Sequence, residues 1–269
     1  MDVGEVRVAD DRDFEKLTTL IDENDGWKMV YSKSSTKVWT KSTQQTSFKM
    51  IKIKAVFKDI LPSLLYDVVM DPSYRKTWDI YMLDSYDIGC LNPNNDIGYY
   101  AVRFPAPLKN RDFVLQRSWL DTGKEYLLFN HSVFHKLLPI KKGFIRGISF
   151  LTGFVIRPVN GKGCELNYVT QCDPRGSLPV WVINKFTQIC APKLVKKLQK
   201  ASVGYTSWKQ KNNPNYKPWI NPEQISLPRI VLLECIKNEF DNMEAEEFLD
   251  ESGIDEDSLK GKDFFEEED

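Results

Sequence analysis

In the stretch MDPSYRKTWD, residues 70–79, an arginine and an aspartate stand four apart, Arg75 and Asp79, with Trp78 between them. Asp71 is a residue type that caps a helix N-terminus, and Pro72 suits the first helical position, where no amide hydrogen is required. On a helix begun there, Arg75 and Asp79 share one face. Such a pair has two readings. At a surface it is an ordinary ion pair worth ~0.3–0.5 kcal/mol, which is the commoner case. Turned inward, it is a clamp for a charged ligand: a guanidinium fork suits phosphate oxygens, and the carboxylate holds the fork in place.

Other chemistry is hard to assemble from this chain. Its two histidines, His131 and His135, fall in one expected strand. At ~3.3 Å per residue their Cα atoms would stand ~13 Å apart, too far to share a metal ion. The plainer reading is two partly exposed strand residues. No G-x-S-x-G and no P-loop occurs. The run GKGCEL, residues 161–166, lacks the third glycine of a dinucleotide fingerprint and reads as a hairpin turn. The five cysteines, Cys90, Cys164, Cys172, Cys190 and Cys235, are irregularly spaced with no C-x-x-C pair. An odd count argues for reduced thiols in a cytosolic protein, not for disulfides or structural zinc. No metal, no cofactor and no catalytic residue is therefore expected. Scattered carboxylates leave an acid–base pair open but unsupported.

The elements that would position Arg75 and Asp79 are legible from periodicity. Asp10 to Asp25 carries Phe14, Leu17 and Ile21 at helical spacing. Three strands follow, WKMVY, KVWTK and SFKMIKIKAVF. In the last, Ile51, Ile53, Ala55 and Phe57 alternate with Lys52 and Lys54 on the other face. A helix is expected from Asp59. From Tyr81 to Asp173, aromatic and β-branched runs such as DIGYYAVRF, RDFVLQRSWL, EYLLFNHSVF, FIRGISFLTGFVI and CELNYVTQC alternate with turn signals. A long helix then runs from Ser177 to about Tyr205, with a kink expected at Pro192. This order is α+β: one curved antiparallel sheet with a long C-terminal helix across it, enclosing a cavity.

With 269 residues, the chain suits one large domain or two small ones. Composition divides it into residues 1–207, a Pro- and Asn-rich extension over 208–238, and an acidic tail over 239–269 that reads as disordered. The tail holds 15 acids and 2 lysines, leaving 35 basic and 23 acidic residues before it, a net of +12. A basic body suits an anionic membrane, a nucleic acid or an acidic partner, and an acidic tail could shield it or merely aid solubility. No nucleic-acid motif occurs, and the aromatics do not interleave with the lysines, so no nucleic acid is expected. No apolar run approaches the ~20 residues of a membrane span, and no secretory signal is expected at the N-terminus.

Three separated motifs, MDPSYRKTWD, VRFPAPLKNRDFV and DPRGSLPVWVINK, are similar in kind and order to signatures of the START (StAR-related lipid transfer) domain family. They most resemble its phosphatidylcholine-transfer subgroup, over roughly residues 10 to 207. The resemblance implies a helix-grip fold: a nine-stranded antiparallel sheet gripping the C-terminal helix around a lipid tunnel. It implies no enzyme, but binding of one glycerophospholipid, phosphatidylcholine or phosphatidylethanolamine, and its transfer between membranes by a cytoplasmic monomer that touches membranes transiently. A lipid sensor without transfer, or a helix-grip enzyme, are the alternatives. By resemblance Arg75 engages the lipid phosphate and Asp79 pairs with it. Tyr100, Phe113 and Phe150 match the positions whose aromatic faces hold the choline ammonium. Tyrosine and phenylalanine stand where the phosphatidylcholine-specific member has tryptophan and tyrosine, which leaves room for ethanolamine. Phe104, Pro105, Pro107, Leu108 and Lys109 match the lid loop; together with Trp181 and Phe186 of the last helix they are candidates for membrane contact. Ser252, with an acid three residues on, suits an acidophilic kinase.

Overall fold

The computed structural model describes residues 1–159, 161–185, 189–237 and 250–259. Helix α1 (Asp11–Asp22) opens the fold. It starts where it does because Asp10 and Asp13 cap it reciprocally, each carboxylate accepting the other's backbone N–H. Strands β1 (Lys28–Lys33), β2 (Thr36–Lys41) and β3 (Met50–Phe57) follow, then helices α2 (Pro62–Met70) and α3 (Pro72–Trp78). The meander is β4 (Met82–Asn92), β5 (Asn95–Val102), β6 (Asn110–Asp121), β7 (Tyr126–Ser132), β8 (Phe144–Arg146), β9 (Ile148–Pro158) and β10 (Cys164–Asp173). Helices α4 (Val180–Lys185) and α5 (Ala191–Lys211) follow it.

These strands form one open sheet in the order β1-β2-β3-β10-β9-β7-β6-β5-β4, with β8 added parallel to β6. On the main path every pair is antiparallel. This is the helix-grip α+β architecture. Its inner face packs on α2, α3 and α5: Ile53, Ala55, Phe57, Ile156 and Leu166 from strands meet Leu65, Val68, Val195, Leu198 and Ala201 from helices. The outer face is covered by α1, whose Phe14, Leu17 and Ile21 pack on Leu127, Phe129, Val155 and Val169. The approach is close at Gly153, where a Cβ would stand 2.3 Å from Leu17 Cδ1.

Several elements differ from their sequence reading, each for a local reason. The run FIRGISFLTGFVI divides at Gly147, so that β8 pairs with β6 while β9 pairs with β7 and β10. β4 is polar, and three register shifts against β5 scramble its alternation. The helix expected from Asp59 begins at Pro62. The helix expected over 177–205 is described as α4 and α5, and α5 runs on to Lys211. Pro192 stands at the start of α5 directly after Ile189 and Cys190, which are π-helical, so the helical path is irregular where the kink is expected.

Lys52 is not on a solvated face. It is 5% exposed, and its Nζ donates to the carbonyls of Ile21 (3.1 Å) and Glu23 (2.5 Å) while standing 4.4 Å from the Trp27 ring. It thus satisfies orphan carbonyls at the end of α1, where a cation is favoured. The histidines are not partly exposed either. His131 is buried with Nε2 on Glu5 O at 2.8 Å, and His135 is buried beyond the end of β7. Burial pulls both imidazoles below their ordinary value. Among the described residues no cluster of His, Cys, Asp or Glu could hold a metal ion.

Candidate functional site

Asp71 is the corner on which the site is built. It ends α2 and caps α3: Oδ1 accepts from the amides of Ser73 (3.0 Å) and Tyr74 (3.1 Å). Its other oxygen accepts from Lys209 Nζ (2.8 Å) and Tyr205 Oη (3.1 Å), both on α5. Tyr74 Oη donates to Ala201 O at 2.7 Å. Helix α3 is therefore pinned to α5 from its first turn, and this fixes the direction in which Arg75 and Asp79 leave it.

Asp79 points inward, while Arg75 keeps 30% of its side chain exposed. Asp79 is 8% exposed. Its Oδ2 accepts from Tyr100 Oη at 2.8 Å, and Oδ1 accepts from Tyr81 N at 3.3 Å. Burial first, and then the charge of Asp79, holds the Tyr100 phenol well above its ordinary value, so it stays a donor. Arg75 Nε stands 3.4 Å from Asp79 Oδ2 but lacks the alignment of a hydrogen bond, and that buried nitrogen has no hydrogen-bond partner among the described residues. The guanidinium carbon lies 5.5 Å from the Trp78 ring and 5.9 Å from the Tyr100 ring. The carboxylate is thus committed to Tyr100 of β5 and to the amide just before β4, while the guanidinium is held mainly by charge and ring faces.

Arg75 lines a cavity of ≈ 1090 Å³ of empty space, part of it open to solvent. Its walls are Val69 and Met70 of α2, Trp119, Leu128 and Phe154 of the sheet, and Trp219, Ile225 and Leu227 of the segment after α5. That segment is anchored by Asp67, which accepts from Lys217 Nζ (2.5 Å) and Trp219 Nε1 (2.8 Å). Farther on, Cys90 N donates to Pro228 O (2.9 Å) and Ile230 N to Cys90 O (3.1 Å), along the outer edge of β4.

The other head-group candidates are placed unequally. Phe113 is buried directly opposite Tyr100 in the β5–β6 ladder, its ring filling the space that a Cβ on Gly147 would take. Phe150 is the extra residue of a β9 bulge beside Gln171 and Cys172, the kind of irregularity that re-aims a side chain. The structure thus joins Arg75, Asp79, Tyr100 and Phe113 by ladder and contact, and puts Phe150 on a separate strand.

A second charged group was not legible as a site. Arg117 places two nitrogens 2.6 Å from the oxygens of Asp96 and a third contact of 2.6 Å on Asp87, all three lining the same cavity. Burial pushes the Asp96 carboxyl up, against the pull of Arg117. The available signal was the alternation of β6, which aims Phe113, Leu115, Arg117 and Trp119 to one face.

The β5–β6 loop is closed over. Phe104, Pro105 and Leu108 are buried, Lys109 is partly so, and Pro107 is exposed. Phe104 and Leu108 pack with Val182, Trp181 and Ile254. Arg111 is fully buried and donates to the carbonyls of Lys109, Pro174 and Arg175. Burial pulls its guanidinium down from its ordinary value, against the support of Glu251. Residues 250–259, inside the run whose composition reads as disordered, lie folded here: average charge concealed Ile254 and Leu259, which are held in apolar clusters. Phe186 lies outside the described residues.

A sequence model described as START domain matches residues 7–209. START domain-containing protein 10 of Mus musculus is 41% identical over 250 residues, 93% of this chain and 85% of that protein. Phosphatidylcholine transfer protein of Bos taurus is 31% identical over 183 residues, 66% of this chain and 85% of that protein. The crystal structure of human STARD10 superimposes with a TM-score of 0.82 at 41% identity, covering 88% of this chain and 97% of that one.

Proposed function

This chain belongs to the START domain family, and from that premise we infer that it binds one glycerophospholipid in its cavity and transfers it between membranes. Phosphatidylcholine and phosphatidylethanolamine are the lipids. A relative named for phosphatidylcholine transfer shares 31% identity, which supports the first of them. The observation that carries the reading is Arg75: a guanidinium on the wall of a largely apolar cavity, beside a carboxylate already occupied by Tyr100 and Tyr81. A charge in that position needs an anion, and a phosphodiester supplies one at the end of two hydrocarbon chains. Burying each methylene is worth ~0.8 kcal/mol, which offsets the withdrawal of the acyl chains from the bilayer. Asp79 orients the fork, and the rings of Tyr100, Phe113 and Phe150 face the ammonium.

In this reading residues 1–207 hold the lipid, 208–238 support the cavity from outside, and 239–269 form an acidic tail. The protein is a cytoplasmic monomer, not an enzyme, and touches membranes peripherally. No helix among the described residues is long and apolar enough to cross one. The loop from Phe104 to Lys109, with Pro105, Pro107 and Leu108, together with Trp181 and Phe186, forms the membrane-contacting surface and moves to admit lipid. Native mass spectrometry of the purified chain is expected to show one bound phospholipid per protein, and vesicle-to-vesicle assays to show its transfer. A chain free of phospholipid that moves none between vesicles would refute the reading.

Ser252 is exposed within the acidic run, and phosphate there would add negative charge and weaken binding to anionic membranes. Ser252→Glu is expected to float less with phosphatidylserine vesicles than Ser252→Ala; equal flotation would reject this role.

A further inference from the structure

The segment Asp250–Leu259 ties together the loop and the helix that the transfer reading requires to move. At its start, Asp250 bridges Ser177. Glu251 is 3% exposed and commits both carboxylate oxygens to the β5–β6 loop: one accepts from Lys109 N at 2.7 Å, the other from Arg111 at 2.5 Å. The carbonyl of Ile254 accepts from Trp181 Nε1 at 2.9 Å, and its side chain packs with Phe104, Leu108 and Val182. Glu256 pairs with Lys185 on α4. Leu259, 8% exposed, packs with Tyr81 and Cys190. One short segment thus contacts the loop, α4 and the start of α5.

Its chemistry is that of the surface it covers. Ten residues carry five carboxylates and two aliphatic side chains, Ile254 and Leu259. Two of the carboxylates, Glu251 and Glu256, meet cations, Glu251 also takes a backbone amide, and the aliphatics enter apolar clusters. An anionic bilayer offers the same combination, negative head groups over hydrocarbon, to the same loop and helix. We propose that residues 250–259 are an internal latch that holds the β5–β6 loop and α4 shut, and that an anionic membrane surface opens the site by displacing it. The latch rests on the transfer reading and deepens it. Because the segment belongs to the same chain, its docking is intramolecular and persists at any protein concentration. A membrane displaces it by presenting many head groups at once, which makes opening depend on contact with a charged surface.

Arg111 organises the loop through three carbonyls besides Glu251, so it is left intact in the test. Two full-length variants act on the latch from opposite sides. Glu251→Gln with Leu259→Ser removes its buried ionic anchor and one of its two apolar anchors. Ser177→Cys with Asp250→Cys staples it where the two backbones bridge. Transfer of fluorescent phosphatidylcholine is measured between vesicles with and without phosphatidylserine, and bound lipid is read by native mass spectrometry. The release variant is expected to transfer severalfold faster and to lose most of its dependence on phosphatidylserine. The stapled variant, oxidised, is expected to retain its lipid yet fall to background transfer, and to recover on reduction. Lipid-loaded variants that both transfer like the original chain would overturn the latch alone. Absence of phospholipid from every form would overturn the transfer reading, and the latch with it.

Discussion

Arg75→Ala is expected to cut phospholipid extraction by about 10–100-fold, since a hydrogen bond to a charged group contributes about 1.5–3 kcal/mol and each 1.4 kcal/mol is tenfold. The fold should survive. Arg75 shares no aligned hydrogen bond with Asp79, and its side chain is 30% exposed. Removing it leaves Asp79 with Tyr100 Oη and Tyr81 N, so the carboxylate is not orphaned. The melting temperature should therefore move by only a few degrees, as for loss of about 1 kcal/mol. Arg75→Lys is the sharper control. It keeps the positive charge but replaces a planar fork by a point charge, and should restore extraction only in part. Full transfer by the alanine variant would return the pair to an ordinary helical ion pair.

Asp71→Asn is expected to produce the largest loss of stability. Asparagine caps a helix as well as aspartate does, so the amides of Ser73 and Tyr74 keep an acceptor. The charge, however, is the partner of Lys209, whose side chain is 8% exposed against 2% for Asp71. Leaving one member of a buried pair alone costs about 3–5 kcal/mol, which for a chain of this size lowers the melting temperature by on the order of 10 °C. Asp71→Ala should add about 1 kcal/mol more by removing the cap. Thermal unfolding followed by circular dichroism separates the two contributions. An asparagine variant within about 3 °C of the original would show that the Lys209 pair adds less than about 1 kcal/mol.

These two residues mark the boundary of what could be read in advance. The cap at Asp71, the helix from Pro72 and the shared face of Arg75 and Asp79 follow from local rules, because helix starts are decided by residues a few positions apart. The alternation of β3, and the aromatic and β-branched runs of β5 and β6 between turn signals, gave the sheet in the same way. The partners of Asp71 are 134 and 138 residues away, and nothing local announces Tyr205 or Lys209 as their counterparts. Lys52 shows the limit of periodicity itself: alternation put it on the same face as the exposed Lys54, but at Lys52 that face is covered by the end of α1. Arg117 stood in an inward register and could have been noticed. Glu251 could not, since its burial depends on a cleft formed by three distant elements.

The pairing of residues 228–230 with β4 has a consequence for solubility. An open sheet ends in two strands whose free backbone groups invite pairing with another chain, and β4 is one of them. Cys90 gives its amide to Pro228 and its carbonyl to Ile230, and Gly89 permits this approach, since a Cβ there would stand 2.7 Å from Pro228 O. Part of the edge is thereby occupied by the chain itself. A chain ending at the close of α5 would keep its sheet but expose that edge, and the same truncation would open the cavity where Trp219, Ile225 and Leu227 now wall it. Such a fragment would tend to stick to its own copies, edge to edge. The extension thus occupies a sheet edge and closes a cavity wall at once.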